Sequence, residues 1–475
     1  MTESLKSEEH LEEGVLKEYA AIEPVPEEAR VLHFADMVAT WIGANANNGT
    51  WYVGGVVAGA AFSGAAFTTL VSNPIAYVVM ALIGLIGFNV GISTMALTRP
   101  AFGIKGSILP SVLNTLQFIG WTAVNTFIGA ISISFLCRDL LGWPAYGEEK
   151  AIPTMLFGIV LMSILHFISI ITGHRSVKIV ERVGVVLILI LGIWESVAVF
   201  SHVSLRDIMM WNPPAGKLMP IGSAMDAMAA FSLGWVPAIA EFTRYCRTKA
   251  SATIAPMIGA NVGLFWFAFV GIVGTIATSI SSGVYDPNNS DPSTIVSKLG
   301  LGVVAFLVII LTSTTANAVN LMAAGVSLTN ITKSLKALPA IWCVTIVSAL
   351  VTVIPLFLTS FLHAFILFLD YIGMVFGPLL SIVIVDYYLL RKGNYSLADL
   401  DDKEGRYRYW RGYNIRTFIV WLAGILLFLL ARNLPVFTSS IGATYPAMLA
   451  TGLLYYLAGR GDITGKMPCT KQVRY

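Results

Sequence analysis

Apolar runs of about 20 residues, the length that carries a helix across the hydrocarbon core of a bilayer, recur twelve times along this chain. They lie at roughly 34–61, 70–97, 105–136, 152–172, 177–202, 220–243, 252–281, 301–329, 336–358, 362–390, 413–431 and 434–458. Lipid offers no partner to an exposed backbone N–H or C=O, so only helices and closed barrels span it, and runs this long specify helices. A hydrophobic share of 56%, a charged share of 12% and a mean hydropathy of +0.75 agree. The sequence therefore predicts an all-α polytopic membrane protein with 12 transmembrane helices, outside the composition of soluble domains.

The first 33 residues hold nine Glu against three Lys or Arg and show neither the basic start nor the short apolar core of a cleavable signal peptide. With an even number of spans both ends share one side. That side's tails and loops carry 24 of the 30 Lys and Arg, which places both termini in the cytoplasm and the chain in the cell (plasma or inner) membrane. The expected organisation is an N-terminal tail over 1–33, one transmembrane domain over 34–459, and a C-terminal tail over 460–475. A net charge of only +3, with the bases beside helix ends, points to orientation and headgroup contact and away from nucleic acid. Tyr407, Tyr409 and Trp410 read as interfacial anchors in the same way. The four cysteines form no CxxC and no cluster with His, so no metal centre or disulfide framework is expected. Neither HExxH, GxSxG, a phosphate loop nor a carboxylate pair is present, which argues against an enzyme and implies no organic cofactor or obligate protein partner.

Two spans are interrupted. The first contains GANANNGTWYVGG, Gly43 to Gly55, and the sixth contains Ser232-Leu233-Gly234-Trp235-Val236-Pro237. Glycine weakens a helix and proline removes a backbone donor. Opened helices five spans apart mark a transporter built of two inverted repeats, with solute and ion at the midplane.

The third span places Gln117, Trp121 and Asn125 at i, i+4 and i+8, on one face. Trp235 stands at the break of the sixth. Two indoles suit a flat, uncharged heteroaromatic ring, with stacking worth about 1–3 kcal/mol per base, and asparagine amides supply both donor and acceptor for the ring edge. The eighth span reads LTSTTANAVNL, Leu311 to Leu321, and offers Thr314 and Thr315 as hard oxygen ligands for a small cation such as sodium. Charges inside a membrane are costly and so are functional suspects: Glu195, Asp226, Glu241 and Asp370 qualify. Glu241 and Asp386 lie next to Arg244 and Arg391 and read as structural ion pairs, leaving Glu195 and Asp370 as possible proton carriers. Small-residue runs such as Gly54-Gly55 permit close helix approach.

AFGIKGSILP (Ala101–Pro110), GWTAVNTFIGA (Gly120–Ala130), GW before EFTRY (Gly234–Tyr245), and FGPLLSIVIVDYYLLRKGNYSLADL through YRYWRGYNIR (Phe376–Arg416) resemble the nucleobase:cation symporter-1 family, whose fold is similar to that of the leucine transporter. The resemblance implies a leucine-transporter-like five-plus-five inverted repeat with broken helices 1 and 6, and symport of a nucleobase with a cation by alternating access. It assigns Trp121, Asn125, Trp235, Gly234, Asn47 and either Asn317 or Asn320 to the substrate. Gln117 stands one place from the glutamine of bacterial cytosine permeases. For a sodium ion it assigns the carbonyls of Gly43, Ala46 and Leu311 and the hydroxyls of Thr314 and Thr315. The WTAVN segment is similar to fungal purine–cytosine permeases, and the loop after the tenth span to hydantoin and allantoin transporters. Purine, cytosine, uracil, hydantoin, allantoin and a thiamine-precursor pyrimidine thus all stand as substrates, and sodium and the proton both stand as coupling ions. Asn45 and Asn48 receive no role from the resemblance and are expected to bear on substrate preference.

Overall fold

Asparagines decide how the first helix is built. In the computed structural model, which describes residues 21–171, 173–331, 337–358 and 360–463, helix α1 is two pieces, α1a Phe34–Asn45 and α1b Asn48–Val57. Asn47 between them is fully extended, and its side chain accepts from Thr50 N at 2.9 Å as the N-cap of α1b. An N-cap of this kind satisfies one of the donors a helix start leaves open. Asn45 closes the other piece: its amide donates to Trp41 O at 3.1 Å and accepts from Tyr77 OH at 2.6 Å.

The remaining long helices are α2 Ala61–Val90, α3 Ile108–Leu141, α4 Ile152–Ile171, α5 Gly173–His202, α6a Ile221–Leu233, α6b Ile239–Thr243, α7 Ile254–Ser282, α8 Gly302–Ile331, α9 Ala337–Thr352, α10 Phe361–Ile384, α11 Ile415–Ala431 and α12 Thr444–Ile463. They follow the twelve apolar runs in order. Among the described residues, eight helical stretches are by length and composition apolar enough to cross a membrane, and shorter ones lie at Ile341–Leu356 and Ile415–Ala431. Several boundaries differ from the sequence reading, the starts of α2 and α12 by the most. Helix α2 starts nine residues early, directly after a short turn that ends at Ala61 with φ 61°, because uniform apolar composition hides the reversal. Helix α12 starts late, at Thr444, where Asp226 of α6a accepts from Ala443 N and Thr444 N, both at 2.8 Å, and from Thr444 Oγ1 at 2.7 Å. The stretch 1–20, which is most of the expected N-terminal tail, and 464–475, with Cys469, lie outside the described residues.

Helices α1, α2, α6 and α7 pack on one another, and α3, α4, α8 and α9 pack on one another. Helix α5 touches both groups, through α7 and α8, while α10 leans on α6a and α12. Within the first group α1b and α7 meet backbone to backbone. A β-carbon on Gly54 would lie 2.1 Å from Ala268 O, and one on Gly271 would lie 2.0 Å from Trp51 O, so no larger residue fits either position.

Helix α10 finishes in a π-helical turn, Val385–Leu390. The turn directs Asp386 inward, where it accepts from Arg391 Nε, Tyr395 OH and Tyr455 OH, each at 2.9 Å. Arg391 also donates to Tyr409 OH at 2.7 Å and Pro100 O at 3.1 Å. Tyr407 and Tyr409 are therefore parts of a packed network and not interfacial anchors; of the three aromatic residues read that way, Trp410 is the exposed one, at 62%.

Candidate substrate site

The break in α6 brings the site together. Gly234 ends α6a, Trp235 follows, and Val236–Ala238 make a single tight turn before α6b, with Pro237 supplying no N–H. The carbonyl of Gly234 accepts instead from Gln117 Nε2 of α3 at 2.7 Å. Gly234 also lets α3 come close: a β-carbon there would lie 3.0 Å from Trp121 Nε1.

Asn47, Gly49, Trp121, Asn125, Phe231, Trp235, Ala316 and Asn320 line one cavity between the two breaks. The space they leave is about 20 Å³, room for a water molecule and not for a ring. Trp121 is held edge-on by Phe231 at 5.1 Å and Phe368 at 5.0 Å between ring centres, and Trp235 by Trp41 at 6.0 Å. Further aromatic rings pack beside Trp121, whose ring centre lies 6.2 Å from that of Phe365. Phe361 at the start of α10 stacks on Tyr52 at 5.0 Å and on Phe127 at 4.4 Å, and Phe365 lies 4.6 Å from Tyr52.

The structure sorts the residues expected at the substrate into those at the cavity and those behind it. Trp121, Asn125, Trp235, Asn47 and Asn320 line it, with Gly234 against Trp121. Asn47 does so with an amide already engaged, since it donates to Ala44 O at 2.5 Å while capping α1b. Gln117 is turned to Gly234 and fully buried. Asn317 points away, donating to Thr122 O at 3.0 Å and Thr126 Oγ1 at 3.1 Å. Asn45 and Asn48 do not line the cavity either. Asn48 Nδ2 reaches Ile309 O at 3.2 Å, Thr312 Oγ1 at 2.9 Å and Ser313 Oγ at 3.0 Å, tying the break in α1 to α8. The sequence reading misses Phe231, which lines the cavity, although its place one helical turn before Trp235 is a usable signal. It also misses Phe361, Phe365 and Phe368, whose spacing lets them share one face of α10.

Thr314 and Thr315 are buried, and each hydroxyl donates back along α8, to Ile310 O and to Thr312 O, both at 2.9 Å. A hydroxyl that donates its proton this way keeps its lone pairs for a cation. Thr315 packs on Gly184 and Gly43 on Val185, both of α5; Ala46 follows the last turn of α1a with its N–H on Ile42 O at 2.8 Å, and Leu311 is half-buried. Of the acids, Asp370 pairs with Arg432 and Asp226 caps α12. Glu241 accepts from Thr94 Oγ1 at 2.6 Å. Glu195 is fully buried against Gly274 of α7, and neither carboxylate oxygen has a hydrogen-bond partner among the described residues.

Two opened helices around a polar and aromatic cavity, inside an apolar helical bundle, are the architecture of a solute-carrying membrane permease. Over residues 24–459 the chain matches, and belongs to, the family described as permease for cytosine/purines, uracil, thiamine and allantoin. The allantoin permease of Bacillus subtilis is 25% identical to it over 461 residues, covering 91% of each chain. The purine-uracil permease NCS1 of Arabidopsis thaliana is 25% identical over 454 residues, 85% of this chain and 70% of that one. Among solved structures, the inward-facing conformation of Mhp1 superposes with a TM-score of 0.74 at 19% identity, covering 94% of this chain and 95% of that one. Mhp1 in a closed conformation with bromovinylhydantoin bound, described as a nucleobase-cation-symport-1 family transporter, gives 0.71. The fold is thus the twelve-helix arrangement in which α1–α5 and α6–α10 are inverted repeats, each opening on a broken helix.

Proposed function

We propose that the protein is a secondary transporter that imports a nucleobase, purine or cytosine-like, together with sodium, by alternating access in the cell membrane, with both termini cytoplasmic. The observation that carries this reading is the convergence of Trp121, Trp235, Asn125 and Asn320 on one cavity at two helix breaks. The indoles take the faces of a planar ring and the amides its edge. Ring entry requires the walls to part, and the division of the bundle between the α1–α2–α6–α7 group and the α3–α4–α8–α9 group supplies bodies that can move apart. The lone pairs of Thr314 and Thr315, with carbonyls of Gly43, Ala46 and Leu311, form the oxygen set for the ion. One charge moving down about 100 mV releases about 2.3 kcal/mol, enough for about fifty-fold accumulation of a neutral solute. Coupling follows if the ion favours the state that binds the ring.

The names of relatives widen the substrate class to allantoin, uracil and hydantoin. The test is uptake into proteoliposomes of adenine, guanine, hypoxanthine, cytosine, uracil, hydantoin and allantoin, with and without a sodium gradient. Saturable uptake of a purine or cytosine that requires sodium and is lost in both Trp121→Ala and Asn125→Ala is the expected result. Intact uptake in both variants refutes the site. One observation favours a second reading, proton coupling: the burial of Glu195 with no hydrogen-bond partner among the described residues. Uptake indifferent to sodium and abolished by Glu195→Gln would establish it in place of sodium.

A further inference from the structure

We infer that Asn317, anchored by His166, is a positioning residue that sets which edge of the Asn320 amide faces the cavity, and that it thereby selects rings offering an N–H donor at that edge. The inference rests on reading the cavity as a ring site. Asn317 and His166 lie behind the cavity, exposed by 0% and 2%. Three groups surround Asn317 Nδ2: Thr122 O at 3.0 Å, Thr126 Oγ1 at 3.1 Å and His166 Nε2 at 3.1 Å. A backbone carbonyl only accepts, so the nitrogen and not the oxygen of the Asn317 amide must occupy this niche. The Thr126 hydroxyl donates to Thr122 O at 2.7 Å, so its oxygen also meets the amide as an acceptor. The amide has two protons for these three groups, so one is shared; His166 Nε2 meets an N–H and therefore accepts, which places the ring proton on Nδ1. The niche is uniformly accepting, and a flipped Asn317 would set its oxygen against a carbonyl.

The consequence passes to the cavity. With its nitrogen so held, Asn317 turns Oδ1 toward Asn320, which donates to it from Nδ2 at 3.4 Å. Asn320 therefore shows the cavity its Oδ1 and its second N–H. Oδ1 needs a donor, so a ring must bring an N–H there, with an acceptor beside it for the remaining amide proton. A ring whose N–H is replaced by N–CH₃ leaves a buried Oδ1 unpaired, a loss to which sites of this kind are sensitive.

The experiment measures binding of one ring ligand and its singly N-methylated derivatives to the purified full-length protein, for wild type, Asn317→Leu, His166→Leu and His166→Gln. In wild type one methylation weakens binding at least about tenfold. In Asn317→Leu, which frees Asn320 to flip, that ratio falls to within about threefold while the parent ring still binds. His166→Leu is intermediate, and His166→Gln, whose Oε1 restores an acceptor, returns the ratio toward wild type. A side chain serving packing alone would not move a ratio between two ligands. Should Asn317→Leu fail to fold, Thr126→Val with His166→Leu removes two of the three acceptors, and the same ratio decides. A wild-type ratio retained in Asn317→Leu, or in that double variant, overturns the proposal and leaves the ring site standing. A wild type that binds no ring of the panel overturns both.

Discussion

Asn48→Leu separates a residue that holds the fold from one that reads the ligand. The Asn48 amide carries two protons and meets three oxygens of α8 at 2.9–3.2 Å. Leucine keeps the volume and removes both donors. Each hydrogen bond is worth about 0.5–1.5 kcal/mol net, so about 1–3 kcal/mol is lost. The Thr312 hydroxyl keeps its bond to Val308 O at 2.8 Å and Ile309 O lies within a helix, but the fully buried Ser313 hydroxyl loses its contact with Asn48, which puts the loss in the upper part of that range. The readout is detergent-solubilised protein unfolded by SDS, alongside the rank order of ring ligands in a displacement assay. The expected outcome is an unfolding free energy lower by that amount with the ranking preserved, because Asn48 does not line the cavity. A reordered ranking at unchanged stability would refute the reasoning and put Asn48 against the ligand.

Three further outcomes are expected. Trp121→Ala and Trp235→Ala each remove one stacking face, worth about 1–3 kcal/mol or about 5- to 150-fold in affinity, whereas the phenylalanine variants retain most of it; equilibrium binding of the best ring checks this. Asp226→Ala deletes the acceptor for three donors at the start of α12 and lowers thermal stability by at least the cost of a lost cap, about 0.5–2 kcal/mol, with Asp226→Asn between it and wild type. Asp291, in the segment joining α7 and α8, is pushed by burial from the usual aspartate range up to about 6. Its folded state therefore holds more protons than the unfolded one between about pH 4 and 6. Stability rises as pH falls through that window and levels below it; thermal unfolding from pH 7.5 to 4 shows the slope, and Asp291→Asn, which keeps an N-cap oxygen for Thr294 N, removes it.

How far the sequence reads depends on the range over which each feature is decided. The helices are legible because the bilayer demands runs of about 20 apolar residues, and the broken pair because Gly, Pro and Asn are local signals. Trp121 and Asn125 are legible because helical spacing puts them on one face. The destinations of Asn45, Asn48 and Asn317 are not. Asn45 finds Tyr77 32 residues away and Asn48 finds Ile309 261 residues away, and an amide looks the same in sequence whether it meets a ligand or a neighbouring helix. The same holds for the acids: only packing reveals that Asp370 has Arg432 and Asp226 the start of α12, while Glu195 has neither. Tyr407 and Tyr409 look like anchors because arginines flank them, and their burial follows from the π turn that points Asp386 at their loop.

The asparagines that close the ends of α1a and α1b have a thermodynamic corollary. Asn45 and Asn47 satisfy the interrupted backbone with partners belonging to the chain itself, so the unwound stretch is preorganised. A ligand arriving there does not have to hold the helix open, and its contact energy is not diverted into ordering main chain. Affinity is then set by the side chains that must part, Trp121 and Trp235 with the phenylalanines around them. Variants that loosen that aromatic packing without touching the ring should bind faster and no more weakly.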